Sequence, residues 1–271
     1  MLASVFQTRG ARLALGVGGL VVAGVSLAAA TSAPQRLSTL STSPFLTGIQ
    51  SLSPSSSQLL EKDRRAYLAK AASTVLYTSA VAASSAFLLR RATVSLPKIL
   101  GISAGIISSQ IAVHSLDIHT QFPLKIAALS AFGAATGASL MGMRYFASPQ
   151  MLATAALGTL AVAAGAALTS YVVKDIDRLP GYAALVGGSA AVSLCGLGSM
   201  FFPHAVLHNV WLYGGLGVFS VLMMVGMHRI QRNALENPRH ADYINDSMHV
   251  YVDMYQVFSR LLLLKGGTNR R

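Results

Sequence analysis

The stretch LATAALGTLAVAAGAALTSYVV, Leu152–Val173, holds no charged residue and no proline. At about 1.5 Å of rise per residue, a helix of this length crosses the roughly 30 Å hydrocarbon core of a bilayer. A spanning strand needs only about 9–11 residues, and it would gain nothing from small residues at helical spacing. Gly158, Ala161 and Gly165 sit at that spacing, where small side chains let helix backbones approach closely in lipid. The segment therefore reads as a transmembrane helix.

Similar runs lie on both sides of it. Tyr67–Leu89, Ile99–Leu116 and Leu124–Met143 precede it, and Tyr182–Phe202, Ala205–Met227 and Ser247–Leu264 follow. Proline or charge separates them: Arg90, Arg91 and Pro97; Asp117 to Pro123; Arg144 to Pro149; Lys174 to Pro180; Pro203; Arg229 to Asp246. Small residues recur at Gly133, Ala134, Gly137 and Ala138, and again at Gly187, Gly188, Gly196 and Gly198. One compact bundle is expected, with these glycines as packing residues.

Composition agrees. Of 271 residues, 53% are hydrophobic and 11% charged, with a mean hydropathy of +0.54. A soluble domain carries about 25% charged residues, so lipid must cover much of this surface. The net charge of +12 would suggest nucleic acid on a soluble chain. Here the basic residues lie in short loops, where they act as topology determinants and anionic-headgroup contacts. No nucleic-acid partner is expected. If every apolar run spans, the Lys and Arg bias between the two sides is slight, and it puts the loop before the last helix in the matrix.

The first acidic residue is Glu61. Before it stand Arg9, Arg12, Arg36 and a Ser- and Thr-crowded segment from Thr31 to Ser57. Arginine without acid, beside many hydroxyls, is the mitochondrial targeting signature. Within this region LALGVGGLVVAGVSLAAA, Leu13–Ala30, reads either as a secretory signal core or as a retained span, and the retained span is favoured. The expected fold class is all-α, a polytopic membrane helix bundle. Residues 1–60 form a targeting-like region with one transmembrane helix at 13–30 and a Ser/Thr-rich linker, and residues 61–271 form a seven-helix bundle.

Chemistry is sparse. Cys195, the one cysteine, lies in an apolar run and reads as a small buried hydrophobe. No Cys–His cluster suggests structural zinc, and no metal or cofactor is expected. No phosphate loop, Ser–His–acid set or HExxH occurs, so an enzyme is not expected.

A charge inside a span is costly and needs a reason. In SMHVYVDMYQVFSRLLLL, Ser247–Leu264, the polar residues are His249, Asp253, Gln256 and Arg260. Together with Asp246 they step by 3, 4, 3 and 4, which is one helix face. The opposite face carries Val250, Met254, Val257, Phe258 and Leu261. The polar stripe should face the bundle interior or a water-filled cavity. A carboxyl group shielded from water holds its proton more readily, which suits proton-coupled cation movement. Asp253 is the best candidate for that role, and a purely structural hydrogen bond is the equal alternative. His249 can share the Asp253 proton or simply be hydrogen-bonded. Arg260, near the helix end, is expected to snorkel or pair locally. His204, His208, His114 and His119 read as solvated or interfacial. Trp211, Tyr213 and Tyr67 read as interface anchors.

The stretches GLGSMFFP (Gly196–Pro203), LYGGLGVFSVLMM (Leu212–Met224) and INDSMHVYVDMYQVFSRLLLLKGGTNRR (Ile244–Arg271) resemble the Bax inhibitor motif transmembrane family, and most of all its mitochondrial branch. The tail pattern of Tyr251, Asp253, Phe258, Arg260, Gly266, Gly267, Asn269 and Arg270 carries the likeness. The resemblance implies a seven-helix bundle preceded by an extra span, an inner-membrane address, and roles in cation exchange and cristae organisation. It also implies calcium and proton movement through a pair of membrane aspartates. Asp253 matches the second of that pair. The first falls on Gly226 in MMVGMHRIQ, and the tyrosine before it is Val225 here.

Calcium takes about 6–8 oxygen ligands, and a lone carboxylate holds it poorly. Asp117, Asp175, Asp177, Asp242 and Asp246 read as loop or helix-end residues, with Asp246 reaching inward only if the last helix starts late. The expectation is a degenerate transporter fold with a structural role, in cristae organisation or as an accessory subunit of a large respiratory inner-membrane complex. The alternative is an active proton-coupled calcium or cation exchanger, or a leak channel, gated by Asp253.

Overall fold

The computed structural model describes residues 54–89, 95–140, 148–172, 181–201, 205–236, 238 and 240–268. The expected helix at 13–30 and several basic breaks, Arg90, Arg91, Arg144 and Lys174 among them, lie outside the described residues. Seven helices follow in order: α1 Pro54–Leu88, α2 Leu96–Ser115, α3 Phe122–Ser139, α4 Pro149–Val172, α5 Gly181–Phe201, α6 Ala205–Glu236 and α7 Tyr243–Thr268. Among the described residues there is no strand. Three stretches are long and apolar enough to cross a membrane by length and composition: Glu61–Leu88, Gln150–Tyr171 and Ala205–Glu236.

Several sequence breaks are helix starts. Pro97 and Pro123 stand in the first turns of α2 and α3, and Pro149 opens α4. Proline there removes only an N–H that has no intrahelical acceptor.

The helices overrun their apolar windows where polar turns carry no hydropathy signal. α1 begins at Pro54 instead of Tyr67, and Glu61 pairs with Arg65 at 3.0 Å and Arg64 at 3.5 Å in its first turns. α6 continues past Met227 to Glu236, which accepts from Arg232 at 2.7 Å. α7 starts at Tyr243, four residues early, because the Asp242 carboxylate accepts the backbone N–H groups of Ile244 (3.1 Å) and Asn245 (3.2 Å). That is an N-cap.

α7 is the central helix. It packs on α6, α1 and α4. One apolar cluster joins its Ile244, Met248 and Tyr251 to Ala82 of α1, Ile106 and Val113 of α2, and Leu129 and Phe132 of α3. Another joins Val250 and Val257 to Tyr67, Ala163, Phe219 and Met223. α5 lies against the start of α6 through Val192, Trp211 and Leu212. Hydroxyls within the helices bond their own backbone, as Thr78 does to Thr74 O and Thr159 to Ala155 O, both at 2.8 Å. They therefore need no partner from lipid.

The expected close crossings by small residues are present between α1 and α3. A Cβ on Gly133 would lie 3.1 Å from Thr78 O, and one on Gly137 would fall on the carbonyl of Ala82. At Gly165 nothing lies within 4 Å of such a Cβ. Gly137→Ala should therefore cost about 1–3 kcal/mol through overpacking and lower the thermal unfolding midpoint in detergent. Gly165→Ala should leave that midpoint unchanged or raised.

Candidate functional site

The polar stripe of α7 does not meet one partner: Asp246 meets α1 and α6, His249 meets α2, and Arg260 meets the start of α6.

Asp246 is 5% exposed. Tyr67 Oη of α1 donates to its Oδ2 at 2.7 Å, and the Asn233 side-chain amide of α6 donates to the same oxygen. Arg229 Nε stands 3.4 Å from Oδ1. This corrects the sequence reading, which let Asp246 reach inward only if α7 began late. α7 begins early, and Asp246 is enclosed by Tyr67, at the start of the α1 apolar run, and by Asn233 and Arg229, which α6 carries past its own run.

Lys125 requires a second correction, whereas Asp242 stands at a helix end as expected. Lys125, expected as a loop charge, is fully buried in the first turn of α3. Its Nζ donates to the Asp242 carboxylate and, at 2.8 Å, to Leu116 O. Asp242 thus caps α7 and fixes α3 to it.

His249 turns to α2. Its Nε2 lies 3.4 Å from Nε2 of His114, with ring centroids 5.2 Å apart. Among the described residues no hydrogen bond joins His249 to Asp253. His114 is exposed as expected, but it lies in the last turn of α2 and not in the loop after it. His119, also exposed, faces His240 with centroids 6.3 Å apart. His204 lies outside the described residues. Beside His119, Asp117 is held below the usual carboxylate range by backbone hydrogen bonding from His119 and by the Thr120 hydroxyl at 3.0 Å.

Asp253 is half-buried. Among the described residues its carboxylate makes no hydrogen bond or ion pair. The tyrosines two residues away on either side are anchored to α3, Tyr251 Oη to Thr136 Oγ1 at 2.8 Å and Tyr255 Oη to Ser139 Oγ at 2.5 Å.

Gln256 and Arg260 form the third group. Arg260 is 1% exposed, so it does not snorkel. Its local pairing with Gln256 does hold. Nη1 donates to Gln256 Oε1 at 2.6 Å and to Gln256 O at 3.0 Å, while Nε donates to Trp211 O at 3.2 Å. The guanidinium lies 4.6 Å from the Phe219 ring centroid and 5.4 Å from that of Trp211, at cation–π range.

The reason Arg260 stays inside is local to α6. Residues Val210–Gly214 form a π turn, and the Trp211 carbonyl there accepts both the Gly215 N–H and Arg260 Nε. Gly215 then allows the guanidinium to lie against the backbone, where a Cβ would overlap it. Trp211 and Tyr67, expected as interface anchors, are buried, whereas Tyr213 is exposed.

Gly226 of α6 packs on α7. A Cβ there would stand 2.9 Å from Val250 Cγ2, so a larger side chain has no room unless Val250 moves. The family profile described as "Inhibitor of apoptosis-promoting Bax1" matches residues 63–270. The chain belongs to the Bax inhibitor family. Over 94 residues it is also 32% identical to the growth hormone-inducible transmembrane protein of Rattus norvegicus, a match covering 31% of this chain and 27% of that relative.

The signals missed in the sequence are long-range. Tyr67, Lys125, Arg229, Asn233, Trp211 and Phe219 complete the polar contacts of α7 from other helices, and no spacing reveals them. Lys125→Ala should cost about 3 kcal/mol, since it strands Asp242 and the Leu116 carbonyl. Chemical denaturation in detergent, followed by helix content, measures this.

Proposed function

We propose that this protein is a multi-pass component of the mitochondrial inner membrane, a Bax-inhibitor bundle that has lost cation exchange and serves a structural role. That role lies in cristae organisation or in a respiratory membrane complex, as an accessory subunit. The observation that carries the reading is Gly226 packed on Val250. Exchange of a proton for a divalent cation draws on two carboxylates that share a site. Here Asp253 stands without the second, and the place of the missing one is closed by packing. Asp246 and Asp242 are committed to Tyr67, Asn233, Arg229 and Lys125.

The acid-free, arginine-bearing stretch before Glu61 supports the mitochondrial address. The run at 13–30 supplies an eighth span ahead of the seven-helix core. Basic loops suit anionic lipid headgroups.

A second reading rests on Asp253 itself. A carboxylate without a partner among the described residues is a functional candidate, and Asp253 would then gate proton-coupled cation flux.

Reconstitution separates the two. Liposomes holding the wild-type chain should pass calcium and protons no faster than empty ones, and Asp253→Asn should change nothing. Wild-type flux that disappears in Asp253→Asn would establish the second reading and end the first. In mild detergent the structural role further expects co-migration with a large inner-membrane complex, and migration solely as a free monomer counts against it.

A further inference from the structure

His114 and His249 meet in a way that the polar contacts of α7 do not require. His114 Nδ1 lies 3.0 Å from the Gln110 carbonyl oxygen. A carbonyl only accepts, so Nδ1 carries the proton and Nε2 presents its lone pair outward. That is how metal-binding histidines are oriented, with the distal ring N–H held by a carbonyl. The lone pair points at Nε2 of His249, 3.4 Å away.

That distance is long for a hydrogen bond between nitrogens, since N–H donors normally stand about 2.7–3.2 Å from their acceptors. It fits a metal bite instead. Two nitrogens bound tetrahedrally at about 2.0–2.1 Å stand about 3.3–3.4 Å apart. The rings are nearly perpendicular, at 78°.

The surroundings admit a cation. His114 is exposed in the last turn of α2, beside exposed Ser115 and Asp117, so the site opens to water at the bundle end. Arg229 and Asp246 face this end of α7 and are paired with each other at 3.4 Å. Among the described residues no group of three His, Cys, Asp or Glu is gathered for a metal. The remaining coordination positions therefore fall to water, as in open sites.

We infer that His114 and His249 form a two-imidazole site for a borderline transition-metal dication of the Zn2+ type, clamping α2 to the central helix. Imidazole suits such ions and suits calcium poorly. The site is independent of the structural reading above, since it uses neither Gly226 nor Asp253. Its mechanical effect is to join two helices whose ligands are 135 residues apart in sequence. Elsewhere their contact is apolar, through Val113, Ile244 and Met248.

The test uses the full chain without a histidine tag, in detergent and stripped of metal, in equilibrium dialysis against Zn2+ alone. Saturable binding of about one equivalent is expected, together with a Zn2+-dependent rise in the unfolding midpoint. His114→Ala, on an exposed position, should fold and lose affinity by about tenfold or more, and its midpoint should no longer respond to Zn2+. His119→Ala should retain both. Binding as tight in His114→Ala as in the wild type, binding lost in His119→Ala instead, or no saturable binding above the detergent blank would each overturn the assignment.

Discussion

A helix that carries Asp246, His249, Asp253, Gln256 and Arg260 cannot lie against lipid, and the rest of the bundle follows from that constraint. The other helices supply partners to Asp246, His249, Tyr251 and Tyr255 of α7: a tyrosine from α1, an amide and a guanidinium from α6, an imidazole from α2, hydroxyls from α3. In water such contacts are worth little, because each replaces a bond to solvent. Away from water the alternative is an unsatisfied group, so each contact also fixes which helix sits where. α5 meets the bundle through Val192, packed with Trp211 and Leu212 of α6 and with Leu263 and Leu264 of α7.

The buried charges divide into two kinds. Lys125 and Asp242 neutralise each other where α3 and α7 begin, close to the level where polar turns leave the apolar windows. Arg260 has no such counterion among the described residues. Its charge is spread over two aromatic faces, two carbonyls and one side-chain amide. A guanidinium tolerates this better than an ammonium, being planar, delocalised and more weakly hydrated. Of the two expectations for Arg260, snorkelling and local pairing, only the pairing is present, because hydropathy measures the helix that bears the charge and not the helix that receives it.

What the sequence conveyed was local and periodic. The apolar runs gave the seven helices to within a few residues wherever a run coincided with a helix, as at Gly181–Phe201. They failed where the helix left the apolar region, as at Pro54 and Glu236. The 3–4 spacing on α7 picked out its polar residues, but it treated one face of a helix as one site. Five neighbouring side chains on a central helix diverge by tens of degrees and, over several turns, by many ångströms, so they meet different partners. His114 shows the limit most plainly. Alone in its segment it reads as a surface residue, and only the fold brings it to His249.

The wide turn at Val210–Gly214 also governs how the first part of α6 relates to the remainder. A π turn accommodates one residue more than the α-helical repeat, and that extra residue advances everything before it by about 100° around the axis. The side of α6 that meets α5 at Leu207 is therefore out of phase with the side that meets α7 at Phe219 and Met223. A single rod of α6 serves two neighbours that an unbroken helix would have to choose between, and the phase change occurs where Trp211 hands its carbonyl to Arg260.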